Sequence, residues 1–482
     1  MEVAALSAPP TIGSKSSLSW RIALLVTAAL LSLPVLVIIA SLALPFSDTW
    51  GHIAENVLWD YTRNSLLLAL GVSLGTLLLG VSSAWLTAMC EFPGRRFFSW
   101  ALLLPMAMPA YIIAYTYTGL LDFAGPLQTA LRDFFNWGYG DYYFPSIRSL
   151  GGAVCMLSLV LYPYVYLLAR VAFEAQSTAL LEASRSLGRG PWRTLFEVAL
   201  PMARPAIAAG LSLALMEALA DYGTVEYFGV SVFTTGIFRT WYGLGELQTA
   251  AQLAAFLLLF VFALLVLERA SRKNMRFHHS TTRQQPPRLH LNGWRGISCF
   301  LLAALILSLG FLLPAGQLLW WATDHWQGIF DGAFLALVGN SFLLAAMAAL
   351  CCLLVALLLG YGKRLHPGPL ENSAVRVSSM GYAVPGTVIA VGVLLPLAWL
   401  DNTIDSLMRT HFGFSTGLLL SGTLFALVFA YTVRYLSVAL QSVEAGLARI
   451  RPSIDESARS LGSSPGRVLR RIHLPMLRGS LL

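Results

Sequence analysis

Charge is scarce in this sequence. Asp, Glu, Lys and Arg together make up 12% of its 482 residues, whereas an average soluble domain carries roughly 25%. Hydrophobic residues make up 57%, and the mean hydropathy is +0.68. Because a soluble chain this apolar could not cover its own surface with polar side chains, the composition excludes an ordinary cytosolic enzyme, and it equally excludes a disordered chain. It indicates a polytopic membrane protein.

Motifs for catalysis and metal binding are also missing. The chain has five cysteines, and their spacing matches neither a metal site nor a disulfide framework. No Gly-Lys-Ser/Thr loop is present to hold the phosphates of ATP, because Gly362-Lys363 is followed by Arg364. No serine, cysteine or zinc hydrolase arrangement stands out. The sequence therefore predicts no enzymatic activity, no cofactor and no metal site.

Long apolar runs are abundant. A helix needs about 20 apolar residues to cross the hydrocarbon core of a bilayer. Ten segments meet or nearly meet this length: 22–44, 64–90, 100–121, 151–173, 205–221, 247–267, 297–321, 338–362, 378–400 and 415–440. The fifth is the shortest and contains acidic residues. These runs predict an all-α polytopic membrane protein embedded in the lipid bilayer.

Basic residues are distributed unevenly among the loops that these spans define. If the N-terminus lies in the cytoplasm, the outer loops hold only five of the 32 Lys and Arg residues, namely Arg63, Arg132, Arg148, Arg239 and Arg409. The others lie in inner loops or at inner helix ends, as the positive-inside rule requires. The sequence therefore predicts a cytoplasmic N-terminus. This topology also accounts for the net charge of +8, so no nucleic-acid partner is predicted.

One stretch of the chain occurs twice. Residues 182–204 (the first repeat loop) and 456–478 (the second repeat loop) share 12 identities in 23 positions without a gap. A weaker echo is Pro109, which recurs 276 residues later as Pro385. The repeat loops match without a gap over 23 positions, and the proline echo has nearly the same offset. This pattern indicates a tandem duplication in which each half forms a membrane bundle.

The residues of the first repeat loop predict a helix, a turn and a second helix. Gly188 suits a left-handed C-terminal cap, and Pro191 suits the first turn of the next helix. Pro201 predicts a break before the following span. The resulting short helix would dock in a groove of a partner protein or rest on anionic lipid, and the residues alone favour neither. Two copies would imply two equivalent docking sites.

The domain boundaries follow from the repeat. Residues 1–267 are predicted to form the first transmembrane half and residues 297–482 the second, with 268–296 as a polar, basic, cytoplasmic linker. Because both repeat loops fall inside the cell, the halves should have parallel topology and an even number of spans each. The first half has six spans and the second has four. Six plus six are expected, so roughly 65 residues with two helices are expected to follow Leu482.

Two acidic residues interrupt the fifth apolar segment. Glu217 and Asp221 are four residues apart and share one helix face. Ionisable groups in a span are costly and tend to face a water-filled path or a partner. We expect Glu217 and Asp221 to line a water-filled route through the membrane, or the outer gate of such a route. The alternative is an ion pair, or hydrogen bonds at the helix end that hold the outer loop.

The repeat loops resemble the signature loop of ABC importer permeases, which reads Glu-Ala-Ala, three residues, Gly, nine residues, Ile, one residue and Leu-Pro. Ser184, Ser457 and Val198 depart mildly from it. In that family the loop is the coupling helix, which docks on an ATPase subunit and carries its motion to the membrane helices. The resemblance assigns this role to Glu182, Ala183, Ser184, Gly188, Leu200 and Pro201, and to Glu456, Ser457, Ala458, Gly462, Leu474 and Pro475.

Residues 212–246, together with the layout of two halves, are similar to ferric-iron importer permeases. This resemblance implies two tandem helical bundles in the bacterial inner (plasma) membrane, two copies of an ABC ATPase subunit and a periplasmic substrate-binding protein. Thiamine, sulfate and polyamine remain alternative cargoes. A proton-coupled secondary transporter that uses Glu217 and Asp221 is a different kind of alternative, because paired repeats also occur there.

Overall fold

The computed structural model describes residues 14–138, 140–176, 184, 186–272, 288–324 and 332–481. The α-helices in this part are α1 (Ser14–Ser41), α2 (Asp48–Asn56), α3 (Leu58–Met89), α4 (Arg95–Ala101), α5 (Ala110–Leu121), α6 (Pro126–Phe135), α7 (Leu150–Glu174), α8 (Pro191–Thr194), α9 (Leu200–Ala220), α10 (Gly223–Tyr227), α11 (Phe233–Phe238), α12 (Leu247–Arg272), α13 (Trp294–Leu307), α14 (Leu313–Asp324), α15 (Gly332–Leu365), α16 (Pro369–Ser378), α17 (Gly386–Phe412), α18 (Leu424–Ala448), α19 (Pro452–Ser460), α20 (Pro465–Val468) and α21 (Leu474–Leu481).

Shorter elements connect these helices. Turns of 3₁₀-helix lie at Leu104–Ala107 and Ser379–Ala383, and π-helical turns lie at Leu195–Ala199, Arg239–Gly243, Ser308–Leu312 and Leu469–His473. Two strands of two residues each, β1 (Cys90–Glu91) and β2 (Leu289–His290), pair in parallel. The chain is thus built almost wholly from helices where it is described, which confirms the predicted all-α class.

Eight helices among the described residues are long and apolar enough to cross a membrane, or nine if one bent pair counts as a span. The bent pair is the predicted third span, in which Arg95–Ala107 and Ala110–Phe135 meet at 92°. Pro109 lies at this bend with φ of −59° and ψ of 138°, outside the helical region. Proline has no backbone N–H, so it cannot donate the hydrogen bond that would continue the preceding helix. The predicted sixth span falls in α12, whose apolar part Leu247–Ala263 is shorter than the others.

Residues 45–329 form one compact unit, centred on α3, α7 and α9. Glycines on α3 allow α7 to approach closely, since a Cβ at Gly75 would lie 2.2 Å from Ser158 Oγ. The buried Tyr162 donates its hydroxyl to the Leu102 carbonyl at 2.8 Å. Close packing at glycine and the hydrogen bond of Tyr162 therefore stabilise the centre of this bundle.

Helices α13 and α14 also belong to this unit. Tyr117 on α5 donates a hydrogen bond to the carbonyl of Leu309 at 2.6 Å, and Tyr115 packs edge-on against Trp321. The first span of the predicted second half therefore packs among helices of the first half.

Residues 1–44 and 330–482 form the other compact unit. In it α1 packs along α15, α16 and α17. A Cβ at Gly392 would lie 2.4 Å from the carbonyl oxygen of Pro34, so glycine is needed where these two helices touch. Arg21 forms an ion pair with the buried Glu371. The first span of the predicted first half thus packs among helices of the second half.

The two compact units therefore divide the chain differently from the predicted halves. Hydropathy identifies a span but contains no information about which helices surround it. The ends of the predicted linker 268–296 are ordered, because α12 continues to Arg272 and β2 pairs with β1. Residues 273–287 lie outside the described part of the chain. The halves remain a prediction about sequence repetition.

Candidate functional site

The two repeat loops have the same local backbone. Gly188 and Gly462 adopt left-handed conformations with φ of 74° and 76°, as the cap prediction requires. Pro191 begins α8 and Pro465 begins α20, which confirms the predicted start of a second helix. The predicted residues Glu182 and Ala183 lie outside the described part of the chain.

A π-helical turn precedes the Leu-Pro pair in both loops. The backbone N–H of Leu200 reaches the carbonyl of Leu195, and that of Leu474 reaches the carbonyl of Leu469, five residues earlier in each case. The predicted break at Pro201 is therefore wrong, because the helix continues through it into the span. The wide turn accommodates a proline that lacks an N–H and crowds the preceding turn.

Each loop exposes one leucine at the same place. The backbone N–H of Arg189 donates to the Ser184 carbonyl, and that of Ser463 donates to the Ala458 carbonyl, at 3.2 and 3.0 Å. These hydrogen bonds close the turn that ends the preceding helix. Just before the glycine of each turn, Leu187 is 78% exposed and Leu461 is 86% exposed. Two equivalent apolar contact points are therefore available to a partner.

Neutral side chains hold the first repeat loop. Ser184 and Thr194, both buried, share a hydrogen bond of 3.1 Å. Gln176, at the end of α7, donates its amide to the carbonyl of Ala199 at 2.8 Å. The buried Leu195 and Ala199 pack into the apolar core of the unit. Neutral hydrogen bonds and apolar contacts thus fix the buried side of this loop, whereas its one described ion pair, Arg189–Glu197, is exposed.

Charged side chains hold the second repeat loop. The carboxylate of Asp455 accepts a hydrogen bond from Arg364 Nε at 2.7 Å and lies 2.6 Å from Nε2 of the fully buried His473. Ala458 and Val468, both buried, occupy the positions of Ser184 and Thr194. Sequence reasoning missed this charged cluster, although Asp455 directly precedes the signature residue Glu456.

The remaining signature residues lie at the surface or at helix starts. Glu456, Ser457 and Gly462 are exposed. The leucines of both Leu-Pro pairs are half-buried and begin helices, and the prolines sit in the first turns.

The exposed faces of the two loops differ in chemistry. Trp192 and Phe196 of the first repeat loop are 71% and 61% exposed and their rings stack. Gly466 and Arg470 occupy these positions in the second repeat loop. A partner surface that fits both loops must therefore tolerate an aromatic pair at one site and a guanidinium at the other.

The predicted pathway residues Glu217 and Asp221 line one cavity of about 220 Å³, together with Pro109, Ala110 and Tyr164. The Asp221 carboxylate accepts the backbone N–H of Thr224 at 3.0 Å and that of Val225 at 3.2 Å. Asp221 therefore caps the short helix α10, which matches the helix-end alternative. Glu217 adds a carboxylate to a cavity wall that is otherwise mostly apolar.

No group of three or more His, Cys, Asp or Glu side chains suited to a metal ion occurs in the described ranges. Asp455, which contacts His473, also forms an ion pair with Arg364. The arrangement at the repeat loops suits protein contact rather than reaction chemistry.

Comparison with known proteins identifies the family. The family described as binding-protein-dependent transport system inner membrane component matches residues 76–276 and 352–482. The two matched segments begin 276 residues apart, the spacing that separates Pro109 from Pro385. The match covers well over half of the chain and contains both repeat loops.

Three relatives illustrate the range of this family. The Fe(3+)-transport system permease protein FbpB 2 of Haemophilus influenzae is 25% identical over 426 residues, which cover 87% of this chain and 76% of the relative. The molybdenum transport system permease protein ModB of Escherichia coli is 30% identical, over 36% of this chain and 74% of the relative. The probable sulfate transport system permease protein cysT of Chlorokybus atmophyticus is 31% identical, over 43% and 70%.

All three relatives are named as permease subunits of transport systems rather than as enzymes, which agrees with the missing catalytic motifs. The family definition places such subunits in the inner membrane and makes them depend on a binding protein. The chain therefore belongs to the inner membrane components of binding-protein-dependent transport systems, and it is a permease subunit of an ABC importer.

Proposed function

We propose that this permease moves ferric iron from a periplasmic binding protein into the cytoplasm. The observation that supports this cargo is the extent of similarity, since ferric transport permeases align with 87% of the chain. The molybdenum and sulfate permeases align with less than half of it. Molybdate and sulfate are therefore the second candidates, ahead of thiamine and polyamine.

The repeat loops are proposed as the docking points for two ATPase subunits. The single observation that carries this role is the pair of exposed leucines, Leu187 and Leu461, presented by identical turns. An exposed apolar side chain next to a rigid turn suits insertion into a partner groove. Identical geometry at both places suits two identical partners. This arrangement requires both loops and the N-terminus to lie in the cytoplasm, as the distribution of basic residues predicts.

Glu217 is proposed to line the route of the cargo. It borders a cavity between α5, α7 and α9, where a carboxylate would favour a passing cation. Asp221 would act beside it by holding α10 and thereby the shape of the cavity wall. Replacing Glu217 with Gln should lower the rate of ferric uptake, whereas Asp221→Asn should also loosen the outer loop. Unchanged uptake by a normally expressed Glu217→Gln variant would contradict the pathway role.

Cargo and energy source can be tested together in proteoliposomes. The complete permease, its ATPase subunit and its binding protein would be supplied with radiolabelled ferric iron, molybdate or sulfate. We expect ferric uptake that requires ATP on the side of the ATPase subunit. Preferred uptake of molybdate or sulfate would overturn the ferric assignment. Uptake that is driven by a proton gradient without the ATPase subunit would establish the secondary-transporter alternative.

A further inference from the structure

We propose that Arg364, Asp455 and His473 form a clamp that makes the second repeat loop and the end of α15 move as one body. Through this clamp, displacement of the loop by an ATPase subunit would reach α15 directly. In its described part the first repeat loop contains an exposed ion pair within the loop, Arg189–Glu197, but no buried charged link to a spanning helix. This inference rests on the proposed coupling role of the loops, and it assigns three positioning residues outside the signature motif.

The clamp joins the second repeat loop to the two long helices beside it, α15 and α18. Arg364, one residue before the end of α15, donates to Asp455 in the first turn of α19. It also donates to the carbonyls of Leu447 and Ile450 where α18 ends, the second at 2.8 Å. His473 joins Asp455 to the π-helical turn before α21. A single guanidinium and a single carboxylate thus link α15, α18, α19 and the π-helical turn before α21.

A second contact from α15 supports the same connection. Tyr361, one helical turn before Arg364, donates its hydroxyl to the Pro465 carbonyl at 2.8 Å. Its ring also packs edge-on against His473, with centroids 5.2 Å apart. The last turn of α15 therefore touches both the start of α20 and the π-helical turn.

Burial gives the clamp its stiffness. The side chains of Arg364, Asp455 and His473 are 17%, 10% and 0% exposed. Charge-assisted hydrogen bonds shielded from water are stronger than neutral ones. Nε2 of His473 lies 2.6 Å from the Asp455 carboxylate, so the ring is held on the buried side of the clamp.

The first repeat loop offers the internal comparison. By the 274-residue offset of the loops, His473 corresponds to Ala199 and Asp455 to Leu181. By the 276-residue offset of the preceding spans, Arg364 corresponds to Ala88. Apolar residues thus stand at all three clamp positions in the first half. If the shared backbone of the repeat required these charges, both loops would contain them. The clamp is therefore specific to the second loop.

The test measures the amount of cargo moved per ATP hydrolysed by the complete transporter, with ferric iron as cargo. For Asp455→Asn, which keeps the shape but removes the charge, we expect this ratio to fall by about fivefold or more, because coupling energies between sites are typically of that size. The ATPase subunit should still co-purify with the permease and hydrolyse ATP. Asp455→Glu should recover part of the ratio.

The matched control lies in the first repeat loop. Thr194→Val removes the neutral hydrogen bond to Ser184 and introduces the residue that the second loop has at this position, Val468. Its ratio should stay within about twofold of the wild type, because a neutral hydrogen bond contributes little net stability. If Asp455→Asn assembles and its ratio equals that of this control, the clamp is only structural and the inference is overturned. If Asp455→Asn does not assemble, His473→Ala, which introduces the first loop's own residue, decides by the same measure. Failure of the wild-type complex to link ATP hydrolysis to uptake would instead overturn the proposed function.

Discussion

The two repeat loops show that one backbone can be held by two kinds of chemistry. In both loops a left-handed glycine, a helix-starting proline and a π-helical turn follow in the same order. The first is held by the neutral pair Ser184–Thr194, whereas the second is held by the charged pair Arg364–Asp455. Local residues therefore determine the path of the chain, and distant residues determine how firmly it is fixed.

The difference has a physical consequence for the two loops. A neutral hydrogen bond contributes little net stability, whereas a buried charge left without its partner is expensive. Removing one partner by mutation should therefore cost the second loop more than the first. The following predictions would break or sharpen this comparison.

The largest expected effect comes from removing one partner of the charged pair. Asp455→Ala would leave Arg364 partly buried without its carboxylate, which costs about 3–5 kcal/mol. Ser184→Ala in the first loop should cost about 1 kcal/mol. Chemical unfolding of the detergent-solubilised protein measures both values. Equal losses would contradict the comparison. Replacing Arg364, Asp455 and His473 together with apolar residues of similar size should restore most of the loss.

Exchanging the residues at the corresponding π-helical turns should give a smaller effect. His473→Ala removes a fully buried ring and one hydrogen bond, at a cost of about 2–3 kcal/mol in unfolding free energy. Ala199→His places a larger, polar side chain in an apolar core and should also destabilise the protein. Amide hydrogen exchange over each loop would locate the change. If either His473→Ala or Ala199→His stabilised the protein, the two loops would be interchangeable at this position.

The shared backbone predicts equal effects at the two left-handed glycines. Gly188→Ala and Gly462→Ala should each cost about 1 kcal/mol, because a side chain is strained at positive φ. The space around both is open, so no clash adds to this cost. Gly190 and Gly466 also have open surroundings and no positive φ, and their alanine variants serve as controls. Unequal losses at Gly188 and Gly462 would indicate that the backbones differ.

The smallest effect concerns acid sensitivity in the unit that contains the second repeat loop. A hydrogen bond from its own backbone N–H and the nearby Arg21 hold the pKa of Glu371 below its ordinary value. The ionised form therefore contributes stability above about pH 4, and this contribution is lost as the pH falls through the lower folded-state pKa. The melting temperature of Glu371→Gln should lie below that of the wild type at neutral pH, and the two should converge in acid. A constant difference across the range would contradict the ion-pair account.

The sequence alone predicts the parts of this structure that depend on neighbouring residues. Gly188 and Pro191 specify a cap and a helix start through their own backbone preferences, and both features are present. The bend at Pro109 was not predicted, because hydropathy indicated a single span over 100–121. Pro201 misled the prediction, because a wider turn can absorb a proline that would otherwise end the helix.

Features that depend on distant residues escaped prediction. Arg364 and Asp455 are 91 residues apart, and no local sequence pattern indicates that they are in contact. The packing of α1 against α17 could not be predicted either, because an apolar run has the same pattern whichever helices surround it. Asp221 is an intermediate case: an acidic residue three positions before Thr224 is a common capping signal, and the structure shows that cap.

The most direct test of the account is co-purification of the ATPase subunit with permease variants at the exposed leucines. Leu187→Glu and Leu461→Glu change only side chains that are more than three-quarters exposed. Each single variant should weaken binding of the ATPase subunit, and the double variant should abolish both co-purification and ATP-driven uptake while the permease remains folded in the membrane. Normal co-purification and uptake by the double variant would contradict the docking role of the repeat loops.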